Sequence, residues 1–364
     1  MALVIRKKNG KDLYTSESDT FQEAVETAVA EGVSLAQAAL SGEPMAGAEL
    51  AGAKLGGADL SGADLTGAKL SRTGLAGAEL SGLLASDAEL DGADLARASL
   101  VGADLSGAQM NGVNLSGADL SGADLSRAEL EGANLQGAVL TGADLTGATL
   151  TKANLKKADL RGAVASRANL DGADLQQAVL AGADLSGSKA RETDFGQADL
   201  SGANLSKANL KRASFQKARL VGCSLAEARL SEANLDQADF RGGLLFKTKL
   251  EKASLEGACL AGTDLSGADL RRIQAKEADL SGCDASGARL DRAVLDGANL
   301  ERADLAGADL RAASLVGANL FQADLSNAVL DRANFQQADL RSADLHRATF
   351  DRTDLTDAKL DEQI

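Results

Sequence analysis

Few residues of this chain could do catalytic chemistry. The sequence has one histidine, His346, one tyrosine, Tyr14, and three cysteines. No cluster of histidine and cysteine has the spacing of metal ligands, and no nucleophile can be paired with a general base. We therefore predict that the protein is not an enzyme and that it holds no metal and no cofactor.

Acidic residues are far more frequent, and they recur at a fixed spacing. Every fifth residue from Leu35 to Leu360 is Leu, Met, Phe or Ala, without an insertion, and the residue before it is often Asp or Asn. A typical unit reads Ala118-Asp119-Leu120-Ser121-Gly122. Within such a unit Ala and Leu point one way and Asp the other, which indicates a short strand, whereas Ser and Gly are typical of turns. A period this regular predicts a solenoid.

The elements that position these residues follow from the period. A period of five would spread the leucines around an α-helix, so the repeat is not helical. Collagen is excluded because there is no Gly-X-Y period and only one proline. Successive coils can pair their backbone groups at a spacing of about 4.8 Å, which predicts a parallel β-helix.

The A(D/N)LXX pattern resembles the pentapeptide-repeat family, and it covers about nine-tenths of the chain. The resemblance implies an all-β fold, a right-handed, quadrilateral parallel β-helix with four units, or 20 residues, in each coil. Glu49, Lys69 and Glu89 would then stack with alternating sign, and Phe195 would lie one coil from Phe215. Residues 33–364 would form about 16 coils, a rod roughly 75–80 Å long.

Residues 1–32 break the period and predict a small α+β cap. Residues 2–5 are apolar, Asn9-Gly10 is a hairpin signal, and residues 13–15 could form the returning strand. Thr20 followed by Glu23 predicts a capping box, with one apolar helix face after it and Gly32 as the stop. This hairpin and helix are similar to the amino-terminal cap of many bacterial pentapeptide-repeat proteins.

The other end of the chain shows no such cap in the sequence. The residues after Leu360 are few, so the last coil, with Phe350 and Leu355, would be wet or covered by a partner. Members of the family that inhibit gyrase are implied to dimerise through this end. We therefore predict an end-to-end homodimer as one way to cover the C-terminal coil.

Five central positions hold alanine in place of leucine, which leaves space in the core unless a neighbouring side chain is larger. In two of them a neighbour grows in exchange, Leu83 beside Ala85 and Ile273 beside Ala275, and such volume-conserving swaps are tolerated. Ala165 and Ala190 lack such a neighbour, which predicts local weakness. Glu43 stands where Ala should face inward, so we expect the first coil to be irregular. The complete set of small central residues is Ala85, Ala165, Ala190, Ala275 and Ala285.

Composition limits the partners and the compartment. The net charge of −15 gives little electrostatic support for a nucleic acid or an anionic membrane, and no apolar run reaches transmembrane length. We expect no nucleic-acid and no membrane partner. Cys223 and Cys283 should point inward three coils apart, beyond disulfide reach, and Cys259 should face out. Three free thiols favour a reducing compartment, so we predict a cytoplasmic protein.

When the sequence is folded at 20 residues per coil, one outward column consists only of acids. We call this column the acidic ridge: Asp264, Asp284, Asp304, Asp324 and Asp344. A shorter run is Asp104, Asp124 and Asp144. Neighbouring carboxylates repel by roughly 1 kcal/mol in water. The ridge is either the ordinary decoration of this repeat, with each Asp accepting local backbone hydrogen bonds, or a docking surface for a basic partner.

A second surface gathers cations beside several acids. We call it the basic stripe, and two interpretations stay open: ladders of surface salt bridges, or a basic binding stripe. Its principal residues are Lys189, Arg191, Lys211, Arg212, Arg229, Lys249, Arg271, Arg272 and Arg289, and Lys252, Arg292 and Arg311 lie on the same side. Six acids share that side: Glu192, Glu232, Glu251, Asp269, Asp291 and Asp309.

These features favour a rigid, non-enzymatic scaffold for protein–protein interaction, with a protein partner of unknown identity. The alternative comes from the family resemblance, some of whose members mimic DNA and bind a type II topoisomerase, DNA gyrase. DNA of the predicted rod length would carry roughly 45 charges. The repeat carries about a quarter of that density, and its register leaves no room for projecting loops. We therefore place the alternative second.

Overall fold

The computed structural model describes residues 2–361, and the chain opens with a β-hairpin. Strand β1 is Leu3–Arg6 and strand β2 is Asp12–Ser16, and they pair antiparallel with Ile5 opposite Tyr14. In the turn, the backbone N–H of Lys11 donates to Asn9 Oδ1 (3.1 Å), and Gly10 has a φ of 82°. Met1 and residues 362–364 lie outside the described residues. The first residue of the predicted domain 1–32 and the last three residues of the predicted domain 33–364 are therefore not described.

Helix α1, Phe21–Ala30, follows the hairpin and has both predicted caps. The backbone N–H of Glu23 donates to Thr20 Oγ1 (3.1 Å), and the Glu23 carboxylate accepts from the Thr20 backbone N–H (3.2 Å). At the other end Gly32 has a φ of 73°, and Val33 N–H donates to Ala28 O (2.9 Å). This bond from the second residue beyond the C-cap is the Schellman arrangement, which satisfies the last carbonyls of the helix.

The hairpin covers the strand edge of the first coil. The free edge of β1 pairs with residues 37–39: Ala39 N–H donates to Arg6 O (2.7 Å), and Lys8 N–H donates to Gln37 O (2.9 Å). Helix α1 contributes as well, because Glu26 Oε1 accepts from the backbone N–H of Glu49 (3.1 Å). Backbone groups that would otherwise be unpaired at the edge are thereby satisfied.

From residue 39 onward the chain forms stacked coils. The parallel bridges join residues 20 apart, as in Asp119 with Val139, so four five-residue units make one coil. Leu120 N–H donates to Val139 O (2.7 Å) in the next coil, and Asp119 N–H donates to Ala98 O (3.0 Å) in the preceding one. Leu115 O accepts from Ala118 N–H (3.0 Å), which closes the corner between two units. The central Leu and the Ala two residues before it point inward and are almost fully buried.

The chain divides into two compact units, Met1–Asp184 and Leu185–Ile364. The first holds the hairpin, α1 and a core made mostly of Leu and Ala. The second also buries four phenylalanines, and the rings of Phe195 and Phe215 stack with centroids 4.8 Å apart and planes 7° from parallel. In the last described coil Leu345 and Leu355 are half-buried and Phe350 is 38% exposed.

Every corner places its last residue in the left-handed region of the Ramachandran map. Gly occupies many of these positions, with φ between 58° and 71° in the coils, because it has no Cβ to clash there. The others hold mostly Arg, Lys, Gln or Glu, such as Arg127 at 59°. A residue with a Cβ costs about 1–2 kcal/mol in this conformation. The number of glycines at the corners therefore affects the free energy of unfolding directly.

The predicted irregular first coil is not observed. Pro44 bridges Asp64, Met45 N–H donates to Asp64 O (2.8 Å), and Glu43 O accepts from Asp64 N–H (3.0 Å). Glu43 tolerates its position because it is only half-buried. The proline fits because this coil lies at the edge of the ladder, where the missing N–H has no preceding coil to bond. Ala165 and Ala190 are both buried, and the weakness expected there stays a prediction.

We expect Ser188→Ala to raise the free energy of unfolding by about 1 kcal/mol, since a buried hydroxyl without a partner costs about 1–3 kcal/mol. Ser188 is 1% exposed, and its Oγ has no hydrogen-bond partner. Thr248 is the matched control, because it is also buried but donates to Leu225 O (2.8 Å), so Thr248→Val should destabilise. Urea unfolding of both variants measures this, and a loss of stability in Ser188→Ala would contradict the argument.

Candidate partner-binding surfaces

The outward Asp of a unit has a local structural task. Its Oδ1 accepts the backbone N–H of the residue two positions later, as in Asp124 with Ser126 N–H (2.8 Å). Asn does the same, as in Asn334 with Gln336 N–H (2.9 Å). Asp and Asn therefore recur in the motif because they stabilise the corner, which supports the structural interpretation of these acids.

The structure brings the five residues of the acidic ridge together in one column. Parallel bridges connect Asp264 through to Asp344 in successive coils. Each carboxylate accepts one corner N–H at 2.8–2.9 Å, including that of His346, which bonds to Asp344. Because Oδ1 makes this bond in all five, Oδ2 is left for other contacts.

No ion pair compensates the charge of the ridge among residues 2–361, and the same holds for the shorter run Asp104, Asp124 and Asp144, so the ridge is distinguished by its length of five successive coils. Within residues 2–361, no Lys or Arg nitrogen lies within 4 Å of its five carboxylates. Some outward acids elsewhere have an Arg two residues later that binds them with two nitrogens, as Arg311 binds Asp309 and Arg341 binds Asp339. On the ridge that later position holds Ser, Ala or His instead: Ser266, Ser286, Ala306, Ser326 and His346.

The Asp–Arg pairs make acid stability depend on pH. The hydrogen bonds of Arg341 lower the pKa of Asp339 to about 2, from 3.8. A lowered folded-state pKa contributes stability that is present above pH 4 and is lost as the pH falls through about 2. We expect wild type to have a higher melting temperature than Arg341→Gln at pH 5, and the difference between the two melting temperatures to vanish near pH 2. Thermal unfolding followed by circular dichroism measures both. An equal difference at both pH values would contradict this.

The residues of the basic stripe lie in adjacent columns of the second unit. Lys189, Arg229, Lys249 and Arg289 share an outward column, in which Arg229 and Lys249 are direct neighbours. The other five occupy the two columns of the following corner: Arg191, Lys211, Arg212, Arg271 and Arg272.

Many of the stripe's cations are already paired. Arg212 donates to Glu232 (2.9 Å) and lies 3.5 Å from Glu192. The hydrogen bonds of Arg212 and Lys211 lower the pKa of Glu232. Arg271 bonds Asp269 at 2.6 Å and reaches Glu251 at 3.4 Å. Burial opposes ionisation of Asp269, but the Arg271 bonds outweigh it, and its pKa is lowered. The geometry therefore favours salt-bridge ladders over a continuous binding stripe.

The sequence interpretation missed the end of one line of cations. Arg332 and Arg352 continue the corner column of Lys252, Arg272 and Arg292 beyond Arg311, where the predicted stripe ends. Collecting the fifth residue of each unit at intervals of 20 would have found them.

The described part of the chain contains no group of three or more His, Cys, Asp or Glu arranged to hold a metal ion. Among the same residues, no helix has the length and apolar character needed to cross a membrane. The three thiols are free, with Cys223 and Cys283 buried and Cys259 partly exposed.

Thiol labelling should separate the three cysteines. Burial raises the pKa of Cys223 and Cys283 to about 12, so they carry almost no thiolate at pH 8. We expect a disulfide reagent to label one thiol in the native protein and three in denaturant. Cys259→Ser should abolish the native signal, whereas fast native labelling of two or more thiols would show that the coils open readily.

Comparison with known proteins agrees with this geometry. The family model described as pentapeptide repeats matches residues 45–82, 88–127, 128–164, 168–206, 276–311 and 318–357, and the model of the pentapeptide repeat region matches residues 193–270. The chain belongs to the pentapeptide-repeat family. No curated protein matches it at a significant level.

Several solved structures are similar to parts of the chain. HetL, a pentapeptide repeat protein involved in heterocyst differentiation regulation in the cyanobacterium Nostoc sp. strain PCC 7120, is 34% identical over 59% of this chain and 92% of its own, with a TM-score of 0.29. Rfr23 from the cyanobacterium Cyanothece 51142 is 36% identical over 26% of this chain and 60% of its own, with a TM-score of 0.22. QnrB1, a plasmid-mediated fluoroquinolone resistance protein, is 23% identical over 53% of this chain and 90% of its own, with a TM-score of 0.23.

Proposed function

We propose that this protein is a non-enzymatic protein-interaction scaffold and that its acidic ridge docks a basic protein partner. A right-handed, four-sided β-helix of about 16 coils carries the ridge, and we place the protein in the cytoplasm. The observation that carries the proposal is that five carboxylates follow one another in successive coils with no cation within 4 Å among residues 2–361, whereas the similar unpaired run Asp104, Asp124 and Asp144 has only three. Opposite charge on a partner would supply both attraction and orientation.

The basic stripe takes a smaller part in this proposal. Lys189, Arg229, Lys249 and Arg272 are exposed and have no ion pair within the described residues, so they are available to acidic groups of a partner. Because Lys211, Arg212, Arg271 and Arg289 are engaged in ion pairs, we expect charge removal on the stripe to weaken partner binding less than charge removal on the ridge.

The test uses two variants that remove equal charge. The ridge variant is Asp284→Asn, Asp304→Asn and Asp324→Asn, and the control variant is Asp104→Asn, Asp124→Asn and Asp144→Asn. Asn keeps the corner hydrogen bond in both, because Oδ1 is the acceptor in all six. Immobilised wild type and control variant should retain a basic protein that the ridge variant loses. Equal retention by all three would contradict the proposal.

DNA mimicry stays the second candidate, and gyrase distinguishes it. Low charge density predicts that supercoiling is unchanged at about 1 μM protein, where a complex of about −8 kcal/mol would be half-formed. Clear inhibition at that concentration would place topoisomerase control first. The end-to-end homodimer also stays a prediction. A measured mass of the protein in solution of twice that of the monomer would support it.

A further inference from the structure

A line of cations follows one corner of the second unit, and we call it the corner ridge: Lys252, Arg272, Arg292, Arg332 and Arg352. All five side chains are exposed. The corners stack directly, because Lys252 N–H donates to Arg271 O (2.9 Å) and Arg292 N–H donates to Arg311 O (2.9 Å). Adjacent residues of the ridge therefore repeat at the coil spacing of about 4.8 Å, with Ala312 as one gap.

The backbone of the corner ridge is held in a conformation that favours glycine. Its five residues have φ between 57° and 62°. In the first unit the same column contains five glycines among seven residues, the exceptions being Arg72 and Lys152, whereas the second unit has no glycine from Glu192 to Arg352. Many corners of both units also hold a residue with a Cβ, so this column is distinguished by its charge: five of its six residues from Lys252 to Arg352 are cations.

Acids of the adjacent corner column offset the charge of the corner ridge only in part. None of its five cations forms an ion pair within 4 Å among residues 2–361. The preceding corner column contains four acids and two cations, of which Arg271 and Arg311 bind acids on their own face. Seven cations and four acids leave this corner a net charge of +3.

The acidic ridge and the corner ridge have the same number of charges and the same coil period. Both have five charges on a coil repeat of about 4.8 Å, but the acidic ridge fills five successive coils, whereas the corner ridge covers six coil positions with a gap at Ala312. Residues beside the acidic ridge are small, such as Ser266, Ser286 and Ala306, so long side chains of another molecule can reach its carboxylates. A B-DNA strand, with one phosphate per 3.4 Å of axis, has a different period.

We propose that the corner ridge of one molecule docks on the acidic ridge of a second copy of this chain. Asp264 and Arg272 are eight residues apart in a coil of 20, so the two ridges lie nearly half a coil apart and one contact cannot use both ridges of both molecules. The contact is therefore heterologous, and it leaves one ridge free on each end molecule for further addition. This inference rests on the proposed function, since it names the partner of the acidic ridge.

Sedimentation of the full-length protein tests this assembly. We expect masses above the 37.0 kDa monomer in about 10 mM salt, where the Debye length is about 30 Å, and growth of the assembly with concentration. In about 1 M salt, where the Debye length is about 3 Å, the protein should be monomeric. A monomer at low salt at every concentration, or assembly that salt does not weaken, would overturn the proposal.

A mixing experiment identifies the two surfaces. The corner variant, Arg272→Gly, Arg292→Gly and Arg332→Gly, removes three cations and relieves their backbone. Either the corner variant or the ridge variant alone should associate about 10-fold more weakly, because each loses three surface pairs. An equimolar mixture should form 1:1 heterodimers and nothing larger, since only one complementary pair of intact ridges is left.

Matched controls exclude a general effect of charge. The control variant, and a second control with Lys152→Gly, Lys157→Gly and Arg167→Gly, remove equal charge in the first unit, the latter from three different corner columns, and both should assemble like wild type. Equal loss in the controls, or a corner ridge that binds a short DNA duplex instead of a second copy, would refute the proposal. A monomeric wild type whose acidic ridge still retains a foreign basic protein would refute this inference alone and leave the proposed function standing.

Discussion

Phe215→Ala should lower the free energy of unfolding by about 3–5 kcal/mol, the largest effect we expect from one substitution. Phe215 is fully buried, and its ring stacks on that of Phe195 with centroids 4.8 Å apart. The variant loses the transfer free energy of the ring and the stacking contact, and it leaves a cavity between two coils that hydrogen bonds hold at a fixed spacing. Urea unfolding of the two proteins measures the difference.

Phe350→Ala is the matched control for this prediction. Phe350 also occupies a central position, but it is 38% exposed in the last described coil. Its removal takes less area from the core, so the loss should be less than half of that for Phe215→Ala. Equal losses for the two variants would show that burial in the coils does not determine stability.

Gly102→Ala, Gly122→Ala and Gly142→Ala together should destabilise the first unit by about 2–4 kcal/mol. These glycines form one corner column with φ of 64–66°, and a Cβ on any of them would meet no atom within 4 Å. The loss therefore comes from the left-handed backbone, at about 1–2 kcal/mol per residue. About 0.4–1 kcal/mol of the loss at each residue is offset, because alanine leaves the unfolded chain less conformational freedom than glycine does.

The opposite substitution is the control for the corner effect. Arg97→Gly and Arg127→Gly place glycine at corners with φ of 57° and 59°, and we expect a gain of about 0.5–1 kcal/mol for each. Thermal unfolding of both sets checks the sign. If the alanine variants were as stable as wild type, the corners would tolerate a Cβ freely, and glycine would have another purpose there.

Most of the fold could be predicted because its determinants are local and repeated. The five-residue period places Leu120 and Ala118 inside and Asp119 outside, and the stacking of Glu49 under Lys69 follows from 20 residues per coil, with a bond of 2.6 Å. The caps of α1 could be predicted as well, since Thr20 and Glu23 satisfy backbone groups within one turn.

What the sequence could not provide depends on contacts between units of the repeat. The irregularity expected at Glu43 does not occur, because edge position and partial exposure relieve both that residue and Pro44. The ion pairs of Arg212 and Arg271 depend on side-chain conformation, which a column of letters does not fix. Whether any cation reaches the carboxylates of the acidic ridge depends on side-chain conformation in the same way.

Binding of a basic protein partner to wild type, ridge variant and control variant, measured at low and moderate salt, tests the central claim most directly. The proposal predicts that the ridge variant binds more weakly at low salt, that the difference shrinks as salt screens the charges, and that the control variant matches wild type. Equal affinity of all three proteins at both salt concentrations would contradict it, and the five aspartates would then serve only their corners.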